Sequence, residues 1–198
     1  GTPLNMRKVS LEDLAGPSRY GEIRDDFRRR IIELKRHRRV AVGDRVTLVF
    51  ENFDTVLFQT QEMLHVERIT DLDRVREELA VYNELLPGDH ELAATLLIEI
   101  TDQPRIAEEL RRLIGLDEHV SLSVGSRTFP AQFAPGRSTD EKLSAVQYIR
   151  FRLDVGAVEQ FVSGTGPVEI VIDHPNYQAR TTLDAGQRAS LAADLSAA

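Results

Sequence analysis

The stretch Glu91-Leu92-Ala93-Ala94-Thr95-Leu96-Leu97-Ile98-Glu99-Ile100 decides how the chain is read. Leu92, Ala94, Leu96, Ile98 and Ile100 occupy alternate positions, so an extended segment here has one apolar face. Upstream the apolar period is helical. Ile23, Phe27, Ile31 and Leu34 line one side of a helix predicted over Tyr20 to Arg39. Phe53, Val56, Leu57, Met63 and Leu64 do the same in a second helix, capped by Asn52 or Asp54 and running to about Ile69. Leu72, Val75, Leu79, Tyr82 and Leu86 form the stripe of a third, begun at Asp71 and stopped by Pro87-Gly88. A strand within Val40 to Glu51, with Val46, Leu48 and Phe50 on one face, separates the first two helices.

Downstream the period is mostly two. Val120 to Val124 and Thr128 to Phe133 read as a hairpin around Gly125-Ser126. Ala134 to Ser144 reads as a polar loop, and Ala145 to Asp154 as a strand. Val168 to Asp173 and Tyr177 to Leu183 read as a second hairpin across His174-Pro175-Asn176. Short helices are expected after Asp102, over Val155 to Val162 and after Asp184. The expected class is α+β: an N-terminal helical part followed by a mostly antiparallel sheet with short helices. One domain over 1–198 is expected, helix-rich over about 10–88 and sheet-rich over about 89–198.

Composition narrows the chemistry. A chain of 198 residues with 41% apolar and 29% charged residues suits a soluble globular protein. Without cysteine there is no disulfide, thiolate zinc site, cysteine-ligated cluster or cysteine nucleophile. The longest uncharged apolar stretch, Leu92 to Ile98, falls far short of the ~20 residues that span a bilayer. Met6-Arg7-Lys8 leads into polar sequence rather than the apolar run of a signal peptide. A cytoplasmic protein without membrane insertion is expected. The net charge of −7 is uneven: residues 1–50 hold 12 Lys/Arg against 7 Asp/Glu, and the remainder 13 against 25.

Five residue groups are weighed as candidate sites. Glu62 and His65 stand at i,i+3 on a helix, the spacing of carboxylate–imidazole metal pairs. Only one such pair exists, so a metal would need distant ligands such as His119 or His174; the alternative is a surface or packing histidine. Glu51, Asn52, Asp54 and Gln61 crowd a strand–helix junction and could form a polar pocket, unless they only cap. Arg28, Lys35 and Arg39 share a face of the predicted first helix and could bind an anion; the alternative is a solvated face with internal ion pairs. No nucleic-acid motif accompanies them, which argues against that partner. Asp173-His174-Pro175-Asn176 could supply an acid–base pair, but its residues are those a turn requires. Ser163-Gly164-Thr165-Gly166-Pro167 reads as a turn before a strand rather than a phosphate loop before a helix.

The segments Arg39-Val40-Ala41-Val42-Gly43-Asp44, Phe50-Glu51-Asn52, Gln61-Glu62-Met63, Glu67-Arg68-Ile69 and Tyr82-Asn83-Glu84-Leu85-Leu86-Pro87 resemble those of an uncharacterised bacterial family, DUF3501. The resemblance covers nearly the whole chain. It implies an accessory role beside rubrerythrin-like or iron–sulfur oxidoreductases as protein partners, in redox or oxidative-stress metabolism. The leading expectation is a binding or accessory protein without its own catalysis. The alternatives are a metal-dependent enzyme or carrier using Glu62 and His65, with a metal held by oxygen and imidazole alone, and anion or nucleic-acid binding through Arg28, Lys35 and Arg39.

Overall fold

The alternation at 91–100 becomes the third of eight strands. The structure, a computed structural model, describes residues 6–136 and 143–196, so part of the predicted loop over 134–144 lies outside the described residues. The strands are β1 Arg39–Val42, β2 Val46–Phe50, β3 Glu91–Ile98, β4 Val120–Val124, β5 Arg127–Phe133, β6 Val146–Arg152, β7 Val168–His174 and β8 Tyr177–Thr182. Six α-helices accompany them among the described residues: α1 Pro17–Lys35, α2 Phe53–Val66, α3 Leu72–Asn83, α4 Ile106–Arg112, α5 Val155–Ser163 and α6 Ala185–Leu195.

The strands form one sheet in the order β1-β2-β3-β6-β5-β4-β7-β8, antiparallel throughout. Pairs such as Leu48↔Leu96, Phe50↔Ala94 and Leu92↔Phe151 set the apolar alternates of neighbouring strands side by side. All eight strands contribute to one buried core, with Phe161 of α5 and Leu191 of α6 packed into it. The sheet curls until β8 lies beside β1. There Thr181 Oγ1 donates to the Ala41 carbonyl at 2.7 Å and the Tyr177 hydroxyl donates to the Val42 carbonyl at 2.5 Å. The result is a near-barrel filled by its own side chains.

Two expectations need correction. The first helix ends at Lys35 rather than Arg39, and Arg39 instead opens β1. The single strand expected within Val40 to Glu51 is two strands, reversed at Gly43-Asp44-Arg45, where Gly43 has φ 77°. All five residues of β2 are buried, Thr47 and Val49 as well as the Val46, Leu48 and Phe50 face, so no polar position marks where the strand begins. A strand covered on both faces has no polar side to mark its period. The helix-rich part at 10–88 therefore contains β1 and β2, and β2 pairs with β3 across its expected end.

α1, α2 and α3 form a separate lobe with small cores of their own. Tyr20, Phe27 and Ile31 of α1 pack with Leu57 and Phe58 of α2. Val56, Val75, Leu79 and Leu86 form the second cluster with Val9 and Ile69. Arg150 of β6 joins sheet to lobe by donating to the Leu86 carbonyl at 2.7 Å and to the Glu84 carbonyl. No helix among the described residues is long and apolar enough to cross a membrane.

Candidate functional site: a cleft in the helical lobe

The cleft arises because a short N-terminal segment is clamped across two helices. Gln61 of α2 is buried, and its Oε1 accepts from the Ala15 N–H at 2.6 Å while its Nε2 donates to the Ala15 carbonyl at 3.4 Å. This holds the 11–17 segment against α2 and leaves a cavity of about 730 Å³ toward α3. That volume is within the range of small-molecule pockets. Leu11, Leu14, Leu64, Ile69, Leu72 and Val75 supply much of its apolar wall. Val66 and Leu72 are 65% and 58% exposed at residues lining it. Exposed apolar side chains gathered at a concavity, rather than scattered singly, offer a surface that a ligand can cover.

The polar side of the cleft is built on α1. Tyr20 and Arg24 lie one turn apart and both reach Glu62 on α2. The Tyr20 hydroxyl donates to Glu62 Oε2 at 2.5 Å. Arg24 Nε and Nη2 donate to Oε2 and Oε1, each at 2.9 Å. This fork-on-fork pairing holds the Glu62 carboxyl below its ordinary value, against the opposing effect of burial and with help from the Tyr20 hydrogen bond. Burial, and then the Glu62 carboxylate, push the Tyr20 phenol well above its usual range. The His65 ring meets Tyr20 edge-on at 5.5 Å.

A depressed carboxyl value has a definite sign for stability. The contribution of Glu62 is fully present above its ordinary value of 4.5 and fades as pH falls through the lower folded value. A Glu62→Gln variant is expected to lose this part of the acid dependence. Urea midpoints of both proteins from about pH 3 to pH 7 should converge at the acid end and separate near neutrality. Parallel curves would show that the Arg24 pair contributes nothing pH-dependent.

The end of α2 completes the cleft and was not singled out from the sequence. The Ile69 N–H donates to the Leu64 carbonyl at 2.9 Å and the Arg68 N–H to the His65 carbonyl at 3.3 Å. These two bonds make a Schellman ending, normally closed by glycine in the left-handed region. Here Arg68 takes that place with φ 52°, and it lines the cleft.

The sequence candidates are distributed over several places. Glu62 and His65 lie at the cleft, but both Glu62 oxygens are occupied by Tyr20 and Arg24. His174 is buried in the sheet part, its Nδ1 accepting from the Asn176 N–H at 3.0 Å and its Nε2 bonded to the Ile114 carbonyl at 2.8 Å. His119 meets the His174 ring edge-on at 5.3 Å. No group of three or more His, Asp or Glu among the described residues could hold a metal ion.

Glu51, Asn52, Asp54 and Gln61 do not converge. Asn52 caps α2, accepting from the Thr55 N–H at 3.0 Å, and Asp54 is exposed. Glu51 accepts from Thr55 Oγ1 at 2.5 Å and Thr95 Oγ1 at 2.9 Å, beside a second cavity of about 530 Å³. Gln61 faces the first cavity instead. Nine residues of helix separate Asn52 from Gln61, roughly 13 Å of rise. Arg28 is exposed and Lys35 half-buried on α1, while Arg39 lies beyond the helix end, so the three share no helical face.

These features define a class: a near-barrel of eight antiparallel strands carrying a three-helix lobe with an apolar cleft. The chain belongs to the DUF3501 family, described as a protein of unknown function, whose family model matches residues 8–195. It is similar to a solved structure, the crystal structure of a novel protein of unknown function from Burkholderia pseudomallei. The two are 34% identical with a TM-score of 0.90, over 96% of this chain and 100% of that one. A comparison with curated proteins finds no match.

Proposed function

We propose that the chain is a binding protein that holds a small, largely apolar ligand in the cleft of its helical lobe. The observation that carries this is the 730 Å³ cavity with exposed Val66 and Leu72 among its lining residues. The carboxylate behind its polar wall is already tied down: Glu62 is bound by Tyr20 and Arg24 rather than poised beside a substrate. Such a protein acts as an accessory component, retaining a ligand rather than transforming it. The link to redox enzymes as partners rests on the family resemblance alone.

The chain has no tryptophan, so a fluorescent probe reports without interference from indole. N-phenyl-1-naphthylamine, neutral and apolar, is expected to brighten saturably with the intact protein. Leu72→Glu changes an exposed side chain and should leave the fold intact while weakening the probe by about 10-fold or more. A dye that does not brighten, or that binds both proteins equally, would place the ligand elsewhere.

A further inference from the structure

We infer, building on the cleft as a ligand site, that its ligand carries an anionic head, a carboxylate on an apolar body, and that Arg68 receives it. Arg68 occupies the left-handed position that ends α2, with φ 52°. Glycine takes that position without steric penalty, whereas an arginine is strained there. Arg68 is exposed and lines the cleft, so its guanidinium is within reach of a ligand held there. Glu67, Asp71 and Asp73 are close in sequence, yet none forms an ion pair with it, and its side chain has no hydrogen bond with any described residue.

The cleft wall carries the complementary signature. Its described lining includes Arg24, His65 and Arg68 but no carboxylate, although the chain as a whole is acidic at −7. Arg24 is neutralised by Glu62. Arg68 is the remaining fixed cation, five N–H donors in a planar fork suited to a carboxylate. Thr70, also lining the cleft, adds a hydroxyl. Leu14, Leu64 and Ile69 would face the apolar body. A competing explanation is that Arg68 only complements the negative end of the α2 dipole. The two differ in what glycine does at this position.

The full chain, loaded with N-phenyl-1-naphthylamine, is titrated with decanoate, decanol and decyltrimethylammonium, which share a tail and differ in charge. Decanoate is expected to displace the dye at the lowest concentration. Arg68→Gly should raise the decanoate concentration needed by about 10-fold or more while leaving decanol unchanged. Its melting temperature should hold or rise, since glycine relieves the left-handed strain. A fall in melting temperature with unchanged decanoate displacement would make Arg68 a structural cap and overturn the assignment. Equal displacement by decanol and decanoate in the unmodified protein would overturn the anionic head while leaving the cleft a ligand site. If the dye itself fails to bind, both the cleft reading and the role of Arg68 fall together.

Discussion

Asp194→Ala is expected to remove about 3–5 kcal/mol of folding stability, measured as the shift in urea midpoint at constant slope. The reason lies in Arg38, which is only 1% exposed although it follows an arginine-rich helix. Its Nη1 and Nη2 donate to both oxygens of Asp194 near the end of α6. Its Nε donates to the Phe50 carbonyl at 2.9 Å and its Nη2 to the Glu51 carbonyl at 3.2 Å. One guanidinium thus ties the C-terminal helix to the end of β2. Removing Asp194 leaves a buried cation without its counter-ion, a larger loss than the worth of the pair itself. Burial pushes the Asp194 carboxyl above its ordinary value even against Arg38.

Arg38→Met alone should fall nearly as far, because it strands Asp194 and removes a donor from the Phe50, Glu51 and Ser190 carbonyls. Arg38→Met with Asp194→Leu should be more stable than either single variant, since no charge then stays buried unpaired. Recovery is expected to be partial, because the Phe50 and Glu51 carbonyls still lose their donor. A double variant no better than the singles would mean that the carbonyl bonds, not the charges, govern the site.

Arg38 also marks where the sequence stops being legible. In the run Lys35-Arg36-His37-Arg38-Arg39 every side chain looks solvated, and nothing local separates Arg38 from Arg39. Their separation comes from the partner, Asp194, 156 residues away. The β4–β5 hairpin was readable because Val120, Leu122 and Val124 alternate with serines and Gly125 supplies the turn. β3 was readable because Leu92, Ala94, Leu96 and Ile98 share one face. β1 is short and alternates, with Arg39 and Ala41 exposed and Val40 and Val42 buried, but it runs through one tight reversal into β2, whose burial on both faces erases the polar half of the pattern.

The cleft was half legible. Glu62 and His65 stood out by spacing, but a spacing rule cannot show that Tyr20 and Arg24 arrive from another helix. Tyr20 and Arg24 do stand at i,i+4 on α1, so their shared direction was available; their target was not. Arg68 leaves no glycine to announce the end of α2 at Val66, so the apolar period extends the predicted helix to about Ile69. The Leu64 and Ile69 pair, apolar residues flanking the stop, was the available sign of a Schellman ending.

The seam between β1 and β8 is the site of the second large effect. The Tyr177 hydroxyl donates to the Val42 carbonyl and accepts from the Arg45 and Val46 N–H groups at 3.1 and 3.2 Å. It therefore pins the β1–β2 reversal from across the seam, where no strand-to-strand ladder does so. Gly43 makes room for it. An added Cβ there would overlap the hydroxyl and lie 2.9 Å from Tyr177 Cζ, at a backbone φ of 77°. Gly43→Ala is expected to cost about 1–2 kcal/mol for the left-handed backbone alone. Displacing the hydroxyl from its partners adds about 1–3 kcal/mol. Tyr177→Phe should carry only the second loss. Once phenylalanine is in place, the ring is no longer held and can move from the new methyl. The double variant is therefore expected to lose less than the sum of the singles, with a coupling of about 1 kcal/mol or more. Urea unfolding of the four proteins measures it. Strict additivity would show that glycine at 43 serves the backbone turn only, and an unchanged midpoint in Tyr177→Phe would show that the hydroxyl does not close the seam.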